Sequence, residues 1–187
     1  MPIPDVAGIP SQMIYTLDQL EVGATIGRGA NSWVHRGVLK PRSMAVALKH
    51  LWGVKAAEYC KREVAALQKL DHPNVVKTLG YCEVSPMEAY LILELSEEGK
   101  LSTLALADLP VYQQLIQSLK WCLQTAEGLK YLHSKDMVHL DIKPTNVLRF
   151  GDFVKLCDFG TAKHIAEDMF STKTMRAPLP LIFACTK

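Results

Sequence analysis

Between positions 139 and 160 the chain reads His139-Leu140-Asp141-Ile142-Lys143-Pro144-Thr145-Asn146, followed by Asp158-Phe159-Gly160. Two carboxylates, an amide and a lysine gathered on loops suit metal–phosphate chemistry. Magnesium demands hard oxygen ligands, which Asp158 and Asn146 supply. Asp141 is free to accept a proton from a hydroxyl, and Lys143 can neutralise charge on a migrating phosphoryl group. A charged surface loop would use the same residue types, so the reading depends on what stands upstream. There the chain carries Gly27-Arg28-Gly29-Ala30-Asn31-Ser32-Trp33-Val34, in which Ser32 occupies the third position of a GxGxxG pattern. A dinucleotide-binding reading needs the glycines to open a helix after a strand. Residues 32–39 read as a strand instead, which puts the glycines at the tip of a hairpin. Such a hairpin can fold over phosphates, because glycine lets the backbone approach closely. Taken alone, the two glycines fit an ordinary turn equally well. Next, Val46-Ala47-Leu48-Lys49 ends an apolar run with a lysine, which is costly to bury unless paired. Glu63 on the following helix is the natural partner and Glu58 the competing one. A lysine snorkelling at a strand end is the plain alternative. Four elements in this order (glycine hairpin, strand lysine, helix glutamate, then HxD with DFG) displace the surface-loop explanation.

Holding those groups requires a folded scaffold, and the composition allows one. The chain has 187 residues, of which 49% are hydrophobic and 21% charged, with a formal net charge of +2. That is enough apolar material for one domain, or one domain in two lobes. The balanced charge lacks the electrostatic footprint of a dedicated nucleic-acid binder. No apolar run is long enough to cross a bilayer, and the first residues lack the basic start and apolar stretch of a secretory signal. Five scattered cysteines, Cys60, Cys82, Cys122, Cys157 and Cys185, form no CxxC pair, which argues against a disulfide framework and a zinc knuckle. A reducing compartment, cytosol or nucleus, is the expected setting. Cys157, directly before Asp158, is the cysteine expected to repay chemical probing.

Residues 1–19 open with three prolines before position 11 and read as a flexible lead-in. Short β-type runs follow at 20–26, 33–39 and 44–48, the last predicted to be buried because it is apolar throughout. Residues 56–70 carry a helix signal with Cys60, Val64, Leu67 and Leu70 near one face, stopped by the proline at 73. Two more strands are predicted at 75–82 and 89–95. Residues 111–133 then predict a long helix whose stripe Leu115, Leu119, Cys122, Ala126 and Leu129 calls for burial against something large. A strand at 154–157 completes the pattern. Strands first and helices later make the fold class α+β.

With these motifs in place, the sequence resembles the eukaryotic protein kinase family over residues 20–178. The resemblance implies a bilobal fold, an antiparallel β lobe with one helix at 20–95 and a partial helical lobe at 96–178. It implies ATP and Mg2+ as cofactors and a protein as phosphoryl acceptor. Ile26, Gly27, Arg28, Gly29, Val34, Ala47 and Leu148 would enclose ATP, with Lys49 on its phosphates and paired to Glu63. Leu93 would stand at the back of the adenine pocket, and Glu94 to Ser96 would form the hinge that bonds the base. Asp141 is implied as catalytic base with Lys143 beside it, and Asn146 and Asp158 as magnesium ligands. The spacing from Lys143 to Asn146 is similar to that of serine/threonine kinases. IGRGA, HPNVVKTLGYC and KLCDFGTAK resemble the tyrosine-kinase-like group, including kinases acting above MAP kinase kinases, and HLDIKP resembles Mos kinases. A cytoplasmic signalling enzyme with no nucleic-acid partner and no membrane span is the expectation.

Two departures qualify it. Leu140 stands where most kinases place an arginine that anchors a phosphorylated activation segment, which removes one charge-assisted clamp. Ser171, Thr172 and Thr174 are the candidate modification sites in that segment. Arg176-Ala177-Pro178 resembles the start of an APE motif, but Leu179 replaces the glutamate and 179–187 is unrelated text. The expectation is a chain truncated after its activation segment, through a splice end, a frameshift or an incomplete gene model. Two function classes follow: a serine/threonine kinase, or a non-catalytic nucleotide-binding or regulatory module.

Overall fold

A computed structural model describes residues 9–29, 32–102 and 106–164. Its first lobe is a six-stranded sheet in the order β1-β5-β6-β4-β3-β2. The strands are β1 (Ile14–Tyr15), β2 (Leu20–Arg28), β3 (Ser32–Leu39), β4 (Met44–Trp52), β5 (Thr78–Ser85) and β6 (Glu88–Glu94). All neighbours are antiparallel except β1, which runs parallel to β5. The register that matters for the site sets Val34 opposite Lys49, and Lys49 opposite Leu91. The sequence-predicted strands are all present: β2, β3 and β4 are longer than predicted, because polar residues at their ends still complete the ladder, while β5 keeps its predicted length but begins at Thr78 instead of 75. In β4 the apolar run is not buried throughout, since Ala45 is exposed while Val46, Ala47, Leu48 and Lys49 are covered.

Each face of this sheet has its own core. On one side α1 (Ala56–Leu67) packs Ala57, Cys60, Val64 and Leu67 against Leu91, Leu93 and Tyr81. The helix stops at Leu67, short of the expected 70, and Leu70 is reached by a turn in which its N–H bonds the Leu67 carbonyl. On the other side Val46, Leu48, Leu79, Cys82, Tyr90 and Ile92 gather around Tyr15, Leu20 and Leu39. Residues 9–19 are therefore not the flexible lead-in their neighbourhood of prolines predicts. Tyr15 is buried, and Ile9 and Met13 pack on the first core.

The second lobe is built on α2 (Val111–His133), whose bounds match the sequence periodicity. Pro110 precedes its first turn, where a missing N–H costs nothing. The buried positions are Trp121, Gly128 and Leu132. A Cβ on Gly128 would stand 2.8 Å from the Asn74 carbonyl oxygen, so only glycine lets the helix approach that closely. The stripe predicted to be buried faces outward: Leu115 and Leu119 are 61% and 60% exposed, Cys122 and Ala126 are exposed, and Leu129 is partly covered. Periodicity identified an apolar stripe, but packing chose the flatter adjacent face that a glycine opens. Beyond α2 lie β7 (Met137–Val138), the hairpin of β8 (Val147–Phe150) and β9 (Phe153–Leu156), and β10 (Lys163–His164), which pairs with β7. The β8 strand is absent from the sequence reading. Among the described residues no helix is long and apolar enough to cross a membrane.

Candidate functional site

The two lobes enclose a cavity of about 370 Å3. Every sequence-predicted nucleotide contact lines it: Ile26, Gly27, Arg28 and Gly29 from β2 and its hairpin, Val34 from β3, and Ala47 and Lys49 from β4. Leu93, Glu94 and Ser96 come from the end of β6 and the segment after it, and Leu148 from β8. The glycines stand at a β2–β3 hairpin, where the Gly29 N–H donates to the Ser32 carbonyl at 2.7 Å, and not at the start of a helix. That placement removes the dinucleotide-fold alternative.

At the inner end of the cavity the Lys49 ammonium donates to both Glu63 oxygens at 3.0 Å and to Asp158 Oδ1 at 2.9 Å. Glu63 reaches it because α1 turns Cys60, Glu63, Val64 and Leu67 toward the sheet. Glu58, one turn earlier, is engaged by Lys55 and Arg62 instead, which settles the choice between the two glutamates. Burial by itself would push the Lys49 ammonium down, but the facing carboxylates of Glu63 and Asp158 override it and hold the lysine well above its ordinary range. For Asp158 burial pushes upward, and the Lys49 charge and hydrogen bond overcome this to keep its carboxyl below the usual carboxylate range.

The loop between β7 and β8 carries the other groups. Lys143 donates to Asp141 Oδ2 at 2.7 Å, and the Asn146 amide nitrogen donates to the same oxygen at 2.8 Å and to the Asp141 carbonyl at 2.9 Å. These contacts, the Lys143 hydrogen bond foremost, lower the Asp141 pKa and keep it ionised. His139, 2% exposed, donates from Nε2 to the Cys157 carbonyl at 2.9 Å and stacks at a tilt on Phe159, tying this loop to the segment that holds Asp158. Leu140 between them is half-exposed and held at a φ of +64°, a region that costs a branched side chain energy. Asp158 itself has a φ of +62°.

Because its amide nitrogen is committed to Asp141, Asn146 has its side-chain oxygen left to offer a cation. Asp158 contributes a carboxylate that lines the same cavity. Hard oxygen donors of this kind fit magnesium. Glu94 is engaged elsewhere by its side chain, accepting from Lys155 at 2.7 and 2.8 Å and from the Lys77 N–H at 2.7 Å, so its place in the wall is fixed. Ser96 accepts from the Gly99 N–H at 2.8 Å and donates to the Arg149 carbonyl, anchoring the segment after β6 to β8.

Sequence reasoning missed several wall residues, among them Ser32, Arg36, Glu97, Lys100 and Thr145. Arg36 and Glu97 form an ion pair across the mouth, one of whose hydrogen bonds is 2.8 Å. The signal for Ser32 and Arg36 lay in strand alternation, since both share the Val34 face of β3. Nothing in the sequence pattern pointed to the others. Cys157 also lines the cavity, but it is buried, and burial first, then the Asp158 charge, pushes its thiol up to about 12. Ser171, Thr172, Thr174, Cys185 and residues 176–187 lie outside the described residues.

Comparison with known proteins extends these observations. A family model described as "Protein kinase domain" matches residues 20–178. Mitogen-activated protein kinase kinase kinase 7 of Bos taurus is 35% identical over 161 residues, which cover 83% of this chain and 27% of that protein. Serine/threonine/tyrosine-protein kinase HT1 of Arabidopsis thaliana is 33% identical over 153 residues, covering 78% of this chain and 39% of that protein. Mitogen-activated protein kinase kinase kinase dlk-1 of Caenorhabditis elegans is 32% identical over 148 residues, 79% of this chain and 15% of that protein. The chain thus spans well under half the length of each of these relatives.

Proposed function

Because the chain belongs to the protein kinase family, we propose that its cavity binds ATP with Mg2+ for transfer of the γ-phosphoryl group to a serine or threonine hydroxyl of a protein. The observation that carries this reading is the Lys49 ammonium, bound at once to Glu63 and Asp158 and placed beneath the glycine hairpin. When bound, magnesium would supply positive charge against the phosphates, and Asn146 and Asp158 are the residues to hold it. Lys49 would orient the phosphates, its own position fixed by Glu63. Asp141, ionised and aligned by Asn146, would take the proton of the attacking hydroxyl. A bond forms between that oxygen and the γ-phosphorus, the bond from the γ-phosphorus to the bridging oxygen breaks, and ADP leaves. Lys143, bound to the same Asp141 oxygen, would face the transferred charge. A signalling role above MAP kinase kinases and a cytoplasmic setting belong to the same proposal. Its support is the likeness to kinases named for that tier.

A second reading, a nucleotide-binding module that does not transfer phosphate, is favoured by the outward apolar face of α2, where a partner rather than solvent would be expected. One experiment separates the two. Binding of a fluorescent ATP analogue is titrated with and without Mg2+, and transfer from radiolabelled ATP to a mixed serine/threonine peptide pool is measured alongside. Transfer that disappears in Asp141→Asn supports the kinase, and binding without transfer supports the module. Absence of Mg2+-dependent nucleotide binding would overturn both.

A further inference from the structure

Strand β3 divides its residues between two surfaces. Trp33 and His35 stand on one face, where Trp33 meets Trp52 edge-on at 5.2 Å and His35 lies 6.1 Å from His50. Ser32, Val34 and Arg36 stand on the other and all line the cavity. Val34 is opposite Lys49 in the ladder, and Ser32 lies two residues nearer the hairpin tip, about 7 Å along the strand. The Ser32 hydroxyl occupies the space beside Gly29: a Cβ on that glycine would come within 3.1 Å of Ser32 Oγ. The glycine is thereby suited to the serine, since its bare Cα leaves the hydroxyl room against the inside of the hairpin. Among the described residues Ser32 Oγ has no hydrogen-bond partner, although its residue is half-buried. A glycine at this position would offer a ligand its backbone only; serine adds a donor that rotates to suit.

We propose that the Ser32 hydroxyl donates a hydrogen bond to a polyphosphate oxygen of the bound nucleotide. This rests on the cavity's being an ATP site. It goes further by assigning a phosphate contact to a side chain that the glycine pattern does not provide. Phosphate is the appropriate acceptor because the ladder sets Ser32 on the hairpin side of the Val34–Lys49 pair, whereas Ala47 of the apolar wall pairs with Arg36, four residues farther from the hairpin tip. A hydrogen bond to a charged oxygen is among the stronger kind, so its loss should cost about tenfold in affinity.

The test compares wild type with Ser32→Ala, Ser32→Gly and Ser32→Thr, measuring dissociation constants for Mg-ATP and for adenosine. The expected result is about tenfold weaker Mg-ATP binding in the alanine and glycine variants, little change with threonine, and unchanged adenosine affinity throughout. Thermal unfolding of each variant confirms that the lobe remains folded. Alanine and glycine variants that bind Mg-ATP as wild type does would overturn the assignment. Equal losses for ATP and adenosine would also overturn it, because that pattern marks a structural role. If wild type binds adenosine but gains nothing from the phosphates, the underlying reading of the site fails first.

Discussion

Replacing Lys49 with methionine should unfold the site from its most buried charge outward. Methionine keeps a similar stem and removes the ammonium, leaving Glu63, with a side chain only 5% exposed, without its partner. Asp158 keeps access to water, its side chain being 49% exposed, and contributes little to the loss. Breaking one side of a buried pair costs about 3–5 kcal/mol. For a chain of this length each kcal/mol moves Tm by about 2–4 °C, so a fall of about 6–20 °C is expected at neutral pH. Wild-type Lys49, held above its ordinary range, contributes stability that disappears only as pH rises through its folded pKa, so its charge introduces no change between pH 5 and 8. The double variant Lys49→Met/Glu63→Gln should recover most of the loss by removing the orphaned charge. Thermal melts of the three proteins at pH 7 decide the matter. A single variant melting within about 2 °C of wild type, or a double variant that recovers none of the loss, would refute the reasoning.

Asp141→Asn should leave Mg-ATP affinity near wild type while reducing transfer about a hundredfold or more, as read by nucleotide titration beside a transfer assay. Because Lys143 holds the Asp141 pKa low, wild-type transfer should show no loss attributable to this carboxylate until pH falls below the ordinary carboxylate range. Among the described cysteines, Cys122 is exposed while Cys60, Cys82 and Cys157 are buried, the last with its thiol pushed up to about 12. A mild alkylating agent at pH 7 should therefore modify Cys122 first by mass spectrometry, with slower labelling of Cys157 that Mg-ATP suppresses; rapid or unprotected Cys157 labelling would count against its placement. On α2, Leu119→Glu should change the unfolding midpoint little and reduce self-association in sedimentation. Leu132→Ala, at a fully buried position, should cost about 2–5 kcal/mol in denaturant unfolding.

Much of the site was legible because its chemistry is linear in sequence. Lys49 announces itself as a charge ending an apolar strand, and Asp141, Asn146 and Asp158 fall within one short stretch. The pairing of Lys49 with Glu63 needed geometry, since Glu58 lies on the same helix and only the facing of α1 separates them. The bounds of α2 were readable from the periodicity, but its buried face was not. Leucines outnumber the residues that pack, and the deciding feature, Gly128 against Asn74, is a tertiary contact. The β8 strand went unnoticed because its four residues include Arg149 and directly follow a functional loop, so no alternation can develop. Ser32 and Arg36 were accessible in principle, as alternate residues from Val34, had the hairpin been treated as a wall with two faces.

The strand at 14–15 has a bearing on where this domain can be cut. The matched family region begins at residue 20, yet the folding unit does not. Gly80 sits at a φ of +145°, and a Cβ there would lie 2.2 Å from the Met13 carbonyl oxygen, so β5 is shaped to receive the preceding segment. Removing residues 1–19 would take Tyr15 out of the outer core and uncover the backbone of β5 along one side. An open strand edge beside exposed apolar residues is a template for pairing with other chains. An expression boundary drawn at the motif would yield an adhesive lobe, whereas one drawn at or before Ile9 keeps the sheet capped by its own chain.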